Sequence, residues 1–184
     1  ADTPADASTL LPPTLADLRD AQARIAPFAH RTPVLTCRAI DARADARVFM
    51  KCENFQKVGA FKFRGACNAV FALPDHLAAR GVVCHSSGNH AQALALAARL
   101  RGITAHIVMP RTAPAVKQAA VAAYGGRITL CEPTLQARED TQARVIAETG
   151  ATEIHPFNNP FVIAGQGTAA LELLEDHPDL DAVI

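Results

Sequence analysis

The chain has 184 residues, 49% of them hydrophobic and 20% charged, with 18 Lys+Arg balanced by 18 Asp+Glu. That apolar content suffices to bury a core, and a formal net charge of zero offers no polycationic face to a nucleic acid or an anionic membrane. No apolar run approaches the roughly 20 residues a bilayer requires, and the first twenty residues lack a basic segment followed by an apolar one, so we expect a soluble, cytoplasmic protein without membrane or nucleic-acid partners.

Residues 1–13, with adjacent Pro12 and Pro13 and no periodicity, read as a loose arm leading to a helix over 14–26 capped by Thr14. Pro33 then enforces extended chain, and a short β-type run covers 48–51. Further on, apolar β-type runs at 82–85, 105–109, 128–131 and 182–184 are short and lack polar alternation, as strands covered on both faces should be. Between them lie helical stretches. The first, 91–100, carries the stripe Ala91, Leu94, Ala95 and Ala98 and is closed by Gly102. The next spans 114–124, with Pro114 in its first turn and Gly125-Gly126 as the stop, and the third spans 134–148 with Gly150 behind it. This punctuation is that of an α/β protein with a doubly wound parallel sheet, whose ligand crevice lies beyond the carboxyl ends of the strands. The closing run Leu180-Asp181-Ala182-Val183-Ile184 looks like a strand just entered, and we expect more polypeptide C-terminal to it.

Five cysteines, Cys37, Cys52, Cys67, Cys84 and Cys131, form no C-x-x-C pair, so neither a disulfide framework nor a metal site is indicated. Four segments could carry chemistry. In Cys84-His85-Ser86-Ser87-Gly88-Asn89-His90, small residues at a strand-to-helix turn would let backbone N–H groups and the helix dipole meet an anion or carboxylate. The plainer alternative is that Ser87 or Asn89 merely caps the helix, and a third is a Ser87/His90 nucleophile and base pair outside any G-x-S-x-G elbow. Lys62 lies between Phe61 and Phe63; an apolar setting would favour its neutral, Schiff-base-forming amine, whereas most lysines are simply exposed on helices. Gly165-Gln166-Gly167-Thr168-Ala169-Ala170 formally fits the dinucleotide fingerprint, but only a strand at 161–164 precedes it and no acidic residue about 20 positions on completes the unit. A helix over 168–175 with a close-packing glycine start is the structural alternative. Last, His155-Pro156-Phe157-Asn158-Asn159-Pro160 reads as a stiff connector or pocket wall.

Taken together, K-C-E-N-F-Q-K-V-G-A-F-K-F-R-G-A (51–66), S-S-G-N-H-A-Q-A (86–93), V-M-P (108–110) and P-F-x-x-P-x-V-I-A-G-Q-G-T (156–168) make this chain resemble the fold-type II pyridoxal-phosphate enzymes, within the serine/threonine dehydratase and serine racemase group. The resemblance runs from about residue 14 to the last. It implies two doubly wound α/β domains: a small one over 81–158, and a large one formed by 1–80 and 159–184 whose C-terminal part is missing here. It makes Lys62 the aldimine lysine, Phe61 a cofactor contact and Asn89 the partner of the cofactor ring hydroxyl, with Ser86, Ser87, Gly88, Asn89 and His90 seating the substrate carboxylate and Phe157 setting substrate size.

The activity so implied is dehydration of a β-hydroxy-α-amino acid (serine, threonine or 3-hydroxyaspartate) to a 2-keto acid and ammonia, with Lys62 as nucleophile and general base in turn. Gly59-Ala60 with Ser86-Ser87 is similar to the serine racemase and 3-hydroxyaspartate dehydratase branch, and Ser87 would supply the opposite-face acid/base group of a racemase. Relatives are commonly homodimers, and any divalent cation would be bound by residues outside this chain. The family's glycine-rich phosphate loop has no counterpart within the 184 residues. A dinucleotide oxidoreductase using Gly165 to Ala170, and a non-catalytic relative, complete the alternatives.

Overall fold

A computed structural model describes residues 11–184; the first ten residues of the expected N-terminal arm lie outside them. The first helix, α1 (Leu15–Ile25), begins at Thr14, whose hydroxyl accepts from the Asp17 N–H while the Asp17 carboxylate accepts from the Thr14 N–H. This reciprocal pairing satisfies donors that a bare helix start leaves open. After Pro33 come β1 (Val34–Leu35), α2 (Arg38–Ala44) and β2 (Met50–Lys51), the two strands pairing antiparallel. Two 3-10 turns, Glu53–Phe55 and Lys57–Gly59, lead into α3 (Lys62–Ala72) and a short α4 (Asp75–Ala78).

From residue 82 the chain winds a parallel sheet: β3 (Val82–His85), α5 (Asn89–Arg101), β4 (Ala105–Pro110), α6 (Ala115–Ala123), β5 (Arg127–Cys131), α7 (Leu135–Thr149) and β6 (Thr152–Glu153), followed by α8 (Pro160–Asp176). The strand order is β5-β4-β3-β6. Val82, Cys84, Ile107 and Met109 face one core with α5 and α6, while Val83 and Val108 face another with Val145 of α7. Both faces are thus covered, which is why these strands read as continuous apolar runs. Gly102 and Gly150 end α5 and α7 at φ 76° and 69°, a left-handed cap that suits a residue without Cβ.

Three expectations are corrected. Residues 182–184 form no strand, because they pair with no strand among the described residues. Residues 161–164 are helical: α8 starts at Pro160, with the Asn159 side chain accepting from the N–H groups of Phe161 and Val162. That Asn-Pro pair is a helix start and not a loop bracket. Gly165 and Gly167 therefore sit inside a helix, not in a strand-to-helix turn, and the dinucleotide reading falls with that geometry. Their role is packing: a Cβ on Gly165 would lie 2.6 Å from the Arg64 carbonyl oxygen and 2.8 Å from the Gly65 Cα, and one on Gly65 would lie 2.7 Å from the Val162 carbonyl oxygen. Glycine at both positions lets α3 and α8 cross backbone to backbone.

Candidate active site

In the sheet order, β4 and β5 lie on one side of β3 and β6 on the other. The carboxyl ends of β3 and β6 therefore form the topological switch point at which α/β proteins bind ligands. Three segments meet there: the turn 86–89 after β3, the strap 154–158 after β6, and the first turn of α3.

Lys62 opens α3, and its Nζ donates to the Pro156 carbonyl at 2.9 Å. The Phe61 ring centroid lies 5.1 Å from Nζ. Burial holds the amine below the ordinary lysine pKa, enlarging the neutral, nucleophilic fraction near pH 7. Phe63 does not share in this. It is fully buried in the core and faces Lys57, because neighbours on a helix point about 100° apart. The apolar sandwich expected from sequence order is thus one ring plus the strap.

The loop that presents Lys62 is strained and tied down. Val58 adopts φ 59°, a left-handed conformation costly for a β-branched residue. Buried Gln56 offsets this by accepting from the N–H groups of His30 and Lys57 and donating to the His30 carbonyl. On the other side of α3, Arg64, at 0% exposure, binds Glu53 at 2.8 and 2.9 Å and Glu172 at 2.7 and 2.9 Å. Lys51 joins the same Glu172 at 2.6 Å. Two cations and two carboxylates thus lock β2, the first 3-10 turn, α3 and α8 together.

In the turn, the Ser86 N–H extends the ladder to the Val108 carbonyl, and the Ser86 hydroxyl accepts from the Gly88 N–H at 3.3 Å. Gly88 is the N-cap of α5, with no side-chain capping bond. The capping role open to Ser87 or Asn89 is therefore not taken up, and the first-turn N–H groups keep their affinity for an anion. Ser87 is half-buried and Asn89, at the helix start, is exposed.

His90 is 3% exposed; its Nε2–H donates to the Ile154 carbonyl at 2.8 Å and its Nδ1 has no partner. Burial, with the nearby Lys62 and His155, pushes its pKa down to about 4 against the favourable Ile154 bond. Nε2 is taken by Ile154 and Nδ1 makes no bond to Ser87, so that nucleophile and base pair is not formed. Phe157 is 68% exposed and meets the His155 ring edge to face at 4.4 Å. Two contributors went unassigned from sequence, His155 and the Pro156 carbonyl. A backbone oxygen leaves no compositional signal, and His155 was visible only as part of its segment.

The site thus sets a half-buried amine at the switch point of a parallel α/β sheet, the fold class of cofactor-binding α/β enzymes. Residues 25–184 match the profile of the family described as pyridoxal-phosphate dependent enzyme, and the chain belongs to that family. It is 57% identical over 167 residues to a serine racemase of Oryza sativa subsp. indica, covering 91% of this chain and 49% of the relative. It is 55% identical over 172 residues to a beta-hydroxyaspartate dehydratase of Paracoccus denitrificans, covering 94% and 55%. The solved structure of maize serine racemase superposes with a TM-score of 0.91 at 54% identity, covering 93% of this chain and 52% of that one. The chain spans about half the length of the curated relatives it matches, and its architecture is that of fold-type II enzymes.

The residues fit the aldehyde end of the cofactor. The Lys62 amine is held below its ordinary pKa, as condensation with an aldehyde requires. The Gly88 turn beside it opens on free space, with nothing within 4 Å of where a Cβ would stand.

Proposed function

We propose that this chain carries the lysine half of the catalytic centre of a pyridoxal-phosphate dependent dehydratase that converts a β-hydroxy-α-amino acid to a 2-keto acid and ammonia. The observation that carries this is the Lys62 amine, depressed in pKa, 2.9 Å from the Pro156 carbonyl at the switch point. Bound there, pyridoxal phosphate supplies an aldehyde for that amine and a conjugated ring that spreads the charge left on the substrate when its Cα proton departs.

The protein supplies the rest. Lys62 would hold the cofactor at its aldehyde and, as a free amine, would take the substrate's Cα proton, a task that needs a neutral amine near pH 7. Phe61 would lie against the ring, and Asn89 would bind the ring hydroxyl. Ser86, Ser87 and Gly88 seat the substrate carboxylate on the α5 dipole. His90 joins them through its backbone N–H, since its ring is committed to Ile154. Phe157, exposed on the strap, bounds the substrate side chain.

Residues 81–158 act as a small domain that closes on 1–80 and 159–184, excluding water between the turn and Lys62. That the four-stranded sheet is drawn wholly from residues 82–153 supports this division. A cytoplasmic location, a homodimeric assembly and a small amino-acid substrate belong to the same proposal.

Serine racemase is the second reading, favoured by the relatives of that name and by a half-buried serine, Ser87, in the turn after β3; Lys62 and Ser87 would then be the paired acid/base groups. Chiral analysis of products from L-serine separates the two: pyruvate alone marks the dehydratase, accumulating D-serine the racemase. In the full-length protein, Lys62→Ala is expected to lower turnover by at least about a thousandfold and to abolish borohydride trapping of the cofactor on the 62-containing peptide. Undiminished turnover would overturn the assignment of Lys62, and no turnover by the wild type would leave a non-catalytic relative.

A further inference from the structure

We propose that the Pro156 carbonyl is the resting acceptor of the Lys62 amine whenever that amine is free, and that His155 is the positioning residue that aims this carbonyl. The inference deepens the function proposed above and rests on Lys62 being the catalytic base.

The strap is fixed on both flanks of Pro156. Upstream, the Ile154 N–H donates to the Val83 carbonyl at 2.9 Å and the Ile154 carbonyl accepts from His90 Nε2 at 2.8 Å. Downstream, His155 Nδ1 accepts from the N–H groups of Phe157 at 3.3 Å and Asn158 at 2.8 Å. The Phe157 N–H and the Pro156 C=O belong to one planar, trans peptide unit and point in opposite directions. Fixing the N–H on His155 therefore aims the carbonyl the other way, onto Lys62 Nζ at 2.9 Å. The proline ring fixes φ of residue 156, so the unit can swivel only about ψ of Pro156 and φ of Phe157, the rotation that the His155 bonds oppose.

The consequence is directional. A neutral amine that commits one hydrogen to a fixed carbonyl has its lone pair restricted to the remaining tetrahedral directions. A base so held need not search for the proton it must remove. His155 can serve only while Nδ1 is unprotonated. Burial keeps its pKa below the ordinary value, the nearby His85 and Lys62 reinforcing this and Glu153 opposing it, so the strap is closed at neutral pH.

The test uses the full-length protein and two variants. His155→Asn places a carboxamide oxygen where it can accept from N–H groups two and three residues on, whereas His155→Leu removes the acceptor and keeps an apolar side chain. In protein stripped of pyridoxal phosphate, the pH midpoint of Lys62 acetylation by acetic anhydride is read by peptide mapping. Wild type and His155→Asn should share a midpoint below the ordinary lysine range. His155→Leu should rise by about one pH unit as the strap opens and water reaches the amine. In loaded protein, kcat of His155→Leu should fall about 10- to 100-fold with KM changed less than about threefold, and His155→Asn should recover most of the loss.

Should His155→Leu not fold, hydrogen exchange of wild type decides: the Phe157 and Asn158 amides must lose protection together as the His155 ring protonates. An unmoved or lowered midpoint in His155→Leu, failure of His155→Asn to rescue, or exchange indifferent to His155 protonation would each overturn the inference. If instead borohydride fails to trap cofactor on Lys62 in the wild type, it is the underlying functional proposal that fails.

Discussion

His90 shows how a side chain beside the proposed reacting lysine, Lys62, can be structural. Its imidazole is buried and donates from Nε2, so it must be neutral in the folded protein, while the unfolded chain titrates it near 6.5. Because the folded pKa is lowered to about 4, the unfolded state binds more protons in between. Stability is therefore complete above about pH 6.5 and declines as pH falls toward 4, by about 3 kcal/mol in total. Urea denaturation from pH 7 to 4 should show this loss, and His90→Gln, which can still donate to Ile154 but does not titrate, should flatten the slope by about one proton. An unchanged slope would show that His90 is not protonated on unfolding. Lys62, Ser86 to Asn89 and Phe61 were legible as a group because their chemistry is side-chain or small-residue chemistry in contiguous motifs. The partners that orient Lys62 and His90, the Pro156 and Ile154 carbonyls, are backbone atoms supplied by a strap 94 and 64 residues away, and no residue type announces them.

At the scale of elements, long helices and the strands buried on both faces could be read from the chain. Their periods and caps are local, as with Thr14 on α1 and Gly150 behind α7. The two-residue β6 could not, because Thr152 and Glu153 are strand only through pairing with Val82 and Val83, a contact made across seventy residues. The start of α8 was missed although its signal was present, Asn159-Pro160 being open to either a loop or a helix-start reading. What the sequence pattern G-x-G-x-x-A encodes here is the approach of α8 to α3, and that approach fixes the axis on which Lys62 stands. Gly165→Ala would put a methyl group 2.6 Å from the Arg64 carbonyl, inside van der Waals contact with backbone. We expect a loss of about 1–3 kcal/mol of stability by overpacking, read as a lower denaturation midpoint. A weakened Arg64 network should accompany it, seen as faster exchange of the Arg64 side-chain N–H groups. An alanine variant as stable as wild type would mean the crossing has room that its geometry does not show.

Across the whole molecule, the charge and donor inventory says which part of the cofactor these residues can hold. The aldehyde has Lys62, and the ring has Phe61 and Asn89 in the proposed arrangement. A dianionic phosphate asks for several converging N–H groups or cations. The longest glycine run among the 184 residues is Gly125-Gly126, which follows α6 and leads into the edge strand β5, on the opposite side of β3 from the β6 strap. Arg64, two residues from Lys62 in the chain, is neutralised by Glu53 and Glu172, and the uncapped start of α5 is assigned to the substrate carboxylate. Each charge-assisted hydrogen bond not made costs roughly 1.5–3 kcal/mol, or about one to two orders of magnitude in affinity apiece. A polypeptide of residues 1–184 alone should therefore bind pyridoxal phosphate at least about a thousandfold more weakly than a full-length protein that supplies three such bonds. Absorbance titration of both, with circular dichroism to confirm that the shorter chain is folded, measures the difference. Stoichiometric binding by the 184 residues with turnover of serine would show that a phosphate seat exists among the groups already named, with the α5 N-terminus the first place to look for it.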